Sequence, residues 1–149
     1  MDEEAKLVDK LRRIEALFAG ATTKGERSAA ESARHRILER LRRVERESPP
    51  VEFKLTMPDV WSRKVLVALL RRYGLKPYRY PRQRHTTVMV RAPRQFIEET
   101  VWPEFEQISR TLDAYLQEVT DRVVHQVLHR DSSDAEVVAG SAPLPGEDR

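Results

Sequence analysis

Between Lys76 and Arg91 the chain reads KPYRYPRQRHTTVMVR: Lys76, Arg79, Arg82, Arg84 and Arg91 meet no acidic residue, and Tyr78 and Tyr80 stand between the charges. Guanidinium groups neutralise phosphates and release their counterions, and tyrosine rings stack on unpaired bases. Residue types in this order therefore point to a nucleic-acid surface. The run extends both ways, since residues 60–94 hold ten basic side chains, Arg63, Lys64, Arg71, Arg72, Lys76, Arg79, Arg82, Arg84, Arg91 and Arg94, and no acid. Arginine outnumbers lysine eight to two there, which suits forked contacts to phosphate oxygens. Arg82, Arg84 and His85 fall at a predicted turn and are the preferred contact residues.

A second reading uses the same residues without a partner. Residues 1–59 carry 13 basic and 12 acidic side chains, whereas residues 95–149 carry 4 basic and 12 acidic ones. The basic segment is then a solvated surface whose field is cancelled inside the molecule by Glu98, Glu99, Glu104 and Glu106 of the final helix. In that arrangement Tyr78 and Tyr80 face the core while Arg79 faces water.

Asp121, His125 and His129 stand at i, i+4 and i+8, on one side of the last predicted helix. Two histidines four apart can hold zinc, but the catalytic helix motif needs a glutamate after the first, and Gln126 occupies that place. An exposed polar ladder is the competing reading of the trio. No phosphate-cradling glycine loop or nucleophile elbow occurs, and acids on amphipathic helices read as solvated faces with no pair standing out. The sequence thus points away from an enzyme, and no cofactor is expected.

These residues must be positioned by a small soluble body. The chain has 149 residues, 40% hydrophobic and 34% charged, with a net charge of +3 and no cysteine. Disulfides, cysteine-ligated zinc and thiol nucleophiles are excluded together, and a reducing compartment fits. The acidic start MDEEAKLVDK is unlike a signal peptide, and VLVALL (65–70) is far shorter than a membrane span, so a cytoplasmic protein is expected.

Leu7, Leu11, Ile14, Leu17 and Phe18 recur at helical spacing and stop at Gly20, suited to a left-handed C-terminal position. Thr23 and Glu26 form a capping-box pair opening a second helix over 24–46, with Ala30, Ala33, Ile37, Leu41 and Val44 buried. The short link makes the two an antiparallel hairpin, with Ala29, Ala30 and Ala33 allowing close approach, and Pro49-Pro50 ends it. VEFKLT (51–56) alternates as a strand does. Pro58 and Asp59 suit the start of a third helix carrying Trp61, Val65, Leu69 and Tyr73. LKPYRY and TTVMVRA are further strand candidates.

From Pro93 the pattern is helical again, with Pro103 either opening a new helix or sitting within a continuous one. Phe105, Ile108, Leu112, Tyr115, Val119, Val123 and Val127 carry the stripe to about Arg130. The expected fold is therefore α+β and mainly helical. It comprises an N-terminal αα-hairpin (1–48), a small two- or three-stranded antiparallel sheet with one helix and a long C-terminal helix (51–130), and a disordered tail (131–149). The long helix is expected to pack its C-terminal half on the hairpin or on another subunit.

The segment KLRRIEALFAGATTKGERSAAESARHRILERL (10–41) resembles a family of short helical hairpins, a domain of unknown function in bacterial and phage proteins. Ile14, Leu17, Ala19, Glu26, Ala29, Ala30 and Ala33 carry the resemblance; Phe18 and Gly20 depart from it. The region with Trp61, ALLRRYGLKPY and TTVMV is similar to the companion of that hairpin, extending the likeness over about residues 6–130. Relatives in mobile-element settings, sometimes beside a SprT-like protease domain, imply DNA-related work. The protease motif is absent here, and the family supplies no catalytic residues. The expectation is a non-enzymatic accessory protein binding nucleic acid through 63–94. The alternative is a protein-interaction module that pairs its long helix with a partner or a second copy.

Overall fold

The computed structural model describes residues 2–20 and 26–140, residues 26–29 by backbone alone. The chain divides into two compact units, Met1–Leu116 and Gln117–Arg149. The first holds helix α1 (Glu3–Ala19), helix α2 (Glu26–Glu47), strand β1 (Val51–Thr56), helix α3 (Val60–Arg72) and strand β2 (Thr87–Ala92). A C-terminal helix over residues 94–128 begins in the first unit and ends in the second. The fold is α+β and mostly helical, as its patterning predicts.

Local chemistry sets the element ends. Asp2 caps α1 by accepting from Ala5 N, and Asp59 caps α3 by accepting from Ser62 N. Asp59 is thus the cap rather than a first-turn residue, with Pro58 just outside the helix. Gly20 adopts φ 67° and closes α1 by donating to Ala16 O and Leu17 O. The last turn of α1 has no basic residue, so arginines of α2 supply what its carbonyl end lacks. Arg36 donates to Gly20 O at 2.9 Å and Arg40 to Phe18 O at 3.1 Å. The proposed capping box lies outside the described residues, because Thr23 and the Glu26 side chain do.

The two strands are antiparallel, in register from Val51↔Ala92 to Thr56↔Thr87. Val51, Phe53 and Leu55 share the core face with Ala92, Val90 and Val88; Glu52, Lys54 and Thr56 share the other with Arg91, Met89 and Thr87. The third strand candidate, LKPYRY, contributes one bridge, Tyr78↔Met89, closed by two 2.8 Å hydrogen bonds. Pro77 and Pro81 flank it without an N–H to donate, so the ladder cannot extend.

One core joins these elements. Ala33, Ile37 and Leu41 of α2 meet Leu66 and Leu70 of α3, Val88 and Val90 of β2, and Phe96, Val101 and Phe105 of the C-terminal helix. The hairpin therefore does not own a separate core. Two predicted core positions face water instead: Leu17 is 78% exposed and Trp61 63%. Leu17 lies off the Leu7, Leu11, Ile14, Phe18 stripe. Trp61 sits at the start of α3, one residue off the Leu66, Leu69, Leu70, Tyr73 face, with Lys64 Nζ 5.5 Å from its ring centre.

Pro103 lies inside a continuous helix. A proline there removes one N–H and crowds the carbonyl four residues back. The helix answers with a wider turn over Ile97–Val101, where Trp102 N donates to Ile97 O five residues away. A second wide turn, Val124–Leu128, ends the helix. In the second unit Val123, Val127 and Leu128 are exposed. Residues 129–140 have no regular structure, and the rest of the predicted disordered tail lies outside the described residues. No helix among the described residues is long and apolar enough to cross a membrane.

Leu66→Ala should cost about 2–5 kcal/mol in urea unfolding, the range for emptying a close-packed site. Val127→Ala, at a position 72% exposed, should change stability by less than about 0.5 kcal/mol. Equal effects would contradict this placement of the core.

Candidate functional site

The loop from α3 to β2 is organised by two turns. In the first, Gln83 N donates to Tyr80 O at 3.3 Å while Tyr80 N donates to Gln83 Oε1 at 2.8 Å. Pro81 precedes Arg82, whose φ of 71° is the only positive value at a non-glycine among the described residues. Proline followed by a positive φ is the type II pattern, in which the second central position favours glycine. An arginine there carries a backbone cost of about 1–2 kcal/mol. In the second turn, Thr87 N donates to Arg84 O at 3.0 Å. Arg79 Nη1 reaches the same carbonyl at 3.5 Å and lies 3.4 Å from His85 Nδ1.

Arg79, Arg82, Arg84 and His85 are exposed and gathered on these turns. Arg79, Arg82 and Arg84, with the exposed Arg71 and Lys76, have no carboxylate partner among the described residues. The other predicted contact residues are differently occupied. Arg94 pairs with Glu98 at 3.5 Å and lies over the Phe53 ring. Arg91 faces Glu52 across the ladder. Arg63 is half-buried with Nε unpartnered among the described residues.

The tyrosines do not enter the core. Tyr78 and Tyr80 meet edge to face, 5.5 Å between centres, and both hydroxyls donate to Glu52 on the outer sheet face. The Tyr78 bond, then the Tyr80 bond, holds the Glu52 carboxyl below its usual range, and Glu52 in turn raises both phenols. Tyr80 remains 47% exposed.

Arg72 is the cation of this segment that meets a buried carboxylate. Its Nε and Nη2 both donate to Glu15 of α1, Nη2 at 2.6 Å to Oε1. Beside it the Tyr73 hydroxyl lies 3.1 Å from Glu15 Oε2 and 2.6 Å from Glu104 Oε1. Tyr73 has one proton and two carboxyl neighbours, so with both carboxyls ionised one contact would set lone pair against lone pair. A second proton therefore belongs to the cluster. Burial pushes Glu104 up to about 7, against the opposing Tyr73 bond, and Glu104 is where that proton sits. Burial, then the Glu104 charge, drives the Tyr73 phenol far above its usual value, while the Glu15 bond raises Arg72.

This cluster corrects two expectations. Glu104 is fully buried, so it does not mask the basic segment from outside. A carboxylate pair does stand out. The signal lay in helical phase: Glu15 follows Leu11 and precedes Ala19 by four, and Glu104 lies three after Val101 and four before Ile108.

Asp121, His125 and His129 do not assemble, and no group of three or more metal-ligating side chains forms among the described residues. The wide turn at Val124–Leu128 breaks the four-residue phase, and His129 is extended. His125 Nδ1 lies 2.9 Å from Arg130 O, and His129 Nδ1 accepts from Asp131 N. No family model, curated protein or solved structure matches the chain. The functional reading rests on the residues themselves.

The raised Glu104 value fixes a pH dependence. Below about 4.5 folded and unfolded chains both keep the proton; between about 4.5 and 7 only the folded chain does. Stability is therefore lost as pH rises through that window, by about 3 kcal/mol in all. Glu104→Gln should remove this slope, leaving the variant relatively more stable at pH 8 than at pH 4.5 in urea unfolding. Parallel pH profiles for the two proteins would refute the assignment.

Proposed function

We propose that the chain is a non-enzymatic nucleic-acid-binding protein that grips the phosphate backbone with the loop between α3 and β2. The observation that carries this reading is the cluster Arg79, Arg82, Arg84 and His85, exposed on two hydrogen-bonded turns with no carboxylate partner among the described residues. Two further features support it. Arg82 holds a backbone conformation that glycine would adopt more cheaply, and such departures concentrate at functional sites. Tyr80 offers a half-exposed ring beside the cations, held by its hydroxyl, so a base could stack on a pre-positioned platform. Lys76 and Arg71 are further exposed cations of the same segment.

The partner is a nucleic acid, bound chiefly through phosphates and so with little dependence on base sequence. Affinity for a single-stranded oligonucleotide should fall linearly with salt on a log–log plot. Changing Arg79, Arg82 and Arg84 together to Gln should reduce that slope by about two. Arg82→Gly alone should weaken binding while leaving stability equal or higher by up to about 1 kcal/mol. Absence of binding at low salt, or a slope indifferent to the triple change, would rule the proposal out.

A further inference from the structure

The Met1–Leu116 unit contains a groove of about 560 Å³ walled by Leu11 of α1, Val65 and Leu69 of α3, and Ile108 of the C-terminal helix. This is within the range of small-molecule sites, about 300–1,000 Å³, and such sites combine apolar walls with few polar groups. Glu15, Arg72 and Glu104 supply the inner polar part of the lining, with the exposed Arg12 and Glu31 also on it.

Two of these polar groups are already matched. Glu15 accepts from Arg72 and Tyr73, and Arg72 donates to Glu15 and, at 3.4 Å, to Ala30 O. Glu104 is different: its Oε1 meets Tyr73, but its Oε2 is buried with no hydrogen-bond partner among the described residues. A carboxyl oxygen shut away from water without a donor is costly. The charges of the lining show what would match it. Glu15 and Arg72 cancel as a pair, and Arg12 and Glu31, both exposed, carry opposite signs. Once it gives up its proton, Glu104 is the one charge of the lining without a counterpart, buried beneath apolar walls.

We propose that this groove binds a small organic amine, its apolar body between Leu11, Val65, Leu69 and Ile108 and its ammonium group donating to Glu104 Oε2. The site is independent of the basic turns and shares no residue with them. An ammonium ion favours the ionised carboxyl, so binding below pH 7 expels the Glu104 proton to solvent. The other titratable groups around the carboxyl are Glu15 of α1, Glu31 of α2, and Arg72 and the neutral Tyr73 phenol at the end of α3; Arg12 of α1 stands at the exposed part of the lining.

The test compares n-octylamine, n-octanol and n-octanoate, which share one body and differ in head group, by calorimetric titration of the full chain. At pH 8 the amine should bind about tenfold or more tightly than the alcohol, the effect of a charge-assisted hydrogen bond. The octanoate should bind weakest. At pH 6 the amine's advantage should shrink, and its binding should release protons, seen as a heat that varies with the buffer's ionisation enthalpy. Glu104→Gln should abolish the advantage at pH 8. Ala68→Trp, at an exposed position of α3 that lines the groove, should block all binding without touching the carboxyl cluster. No binding by the amine, equal binding by amine and octanoate, or amine binding undiminished in Ala68→Trp would overturn the proposal.

Discussion

A single phenolic proton, shared among too many oxygens, organises this protein. Tyr73 closes α3 with its hydroxyl between a carboxyl from α1 and another from the C-terminal helix. Three elements distant in sequence are joined there, in a place where charge is expensive. The arrangement is tolerable only because Arg72 meets one carboxylate with two donors and the other carboxyl keeps its proton. Arg72 and Tyr73 are neighbours in the chain, so the helix end brings the compensating cation and the bridging phenol to the cluster together.

That arrangement also sorts the charges of the basic segment. Ten cations stand between residues 60 and 94 with no acid among them, and the fold directs Arg72 alone to a buried carboxylate. Of the acids of the C-terminal helix, Glu104 turns inward and Glu98 pairs with Arg94 at the end of the segment, so neither answers the cations of the turns. Glu52 comes closest to answering the loop, yet it binds the tyrosines rather than the arginines. Positive charge is thereby left on the turns around Arg82, which is the basis of the functional reading.

The helices, the register-bearing strands and the long C-terminal helix were legible because hydrophobic period and terminators agree there. Ala33, Ile37, Leu41 and Val44 read as a stripe and are all buried. LKPYRY read as a third strand but gives only one bridge, because Pro77 and Pro81 flank it without an N–H to donate. Trp61 and Leu17 misled because large apolar residues were given to the core by type, when their phase placed them outside it. Glu15 and Glu104 were passed over for the converse reason: they sit in phase, but their type says surface. Asp121, His125 and His129 read as a face because regular helix was assumed where the turn widens. That the buried partners of Tyr73 are two carboxyls was not legible, because it depends on how helices far apart in sequence meet.

Arginine side-chain Nε–Hε NMR signals followed during titration with a single-stranded oligonucleotide test both halves of the account at once. The Arg72 signal should exchange slowly with solvent and stay in place, while those of Arg79, Arg82 and Arg84 move together. Movement of Arg72, or stationary signals from the other three in the presence of excess oligonucleotide, would contradict it.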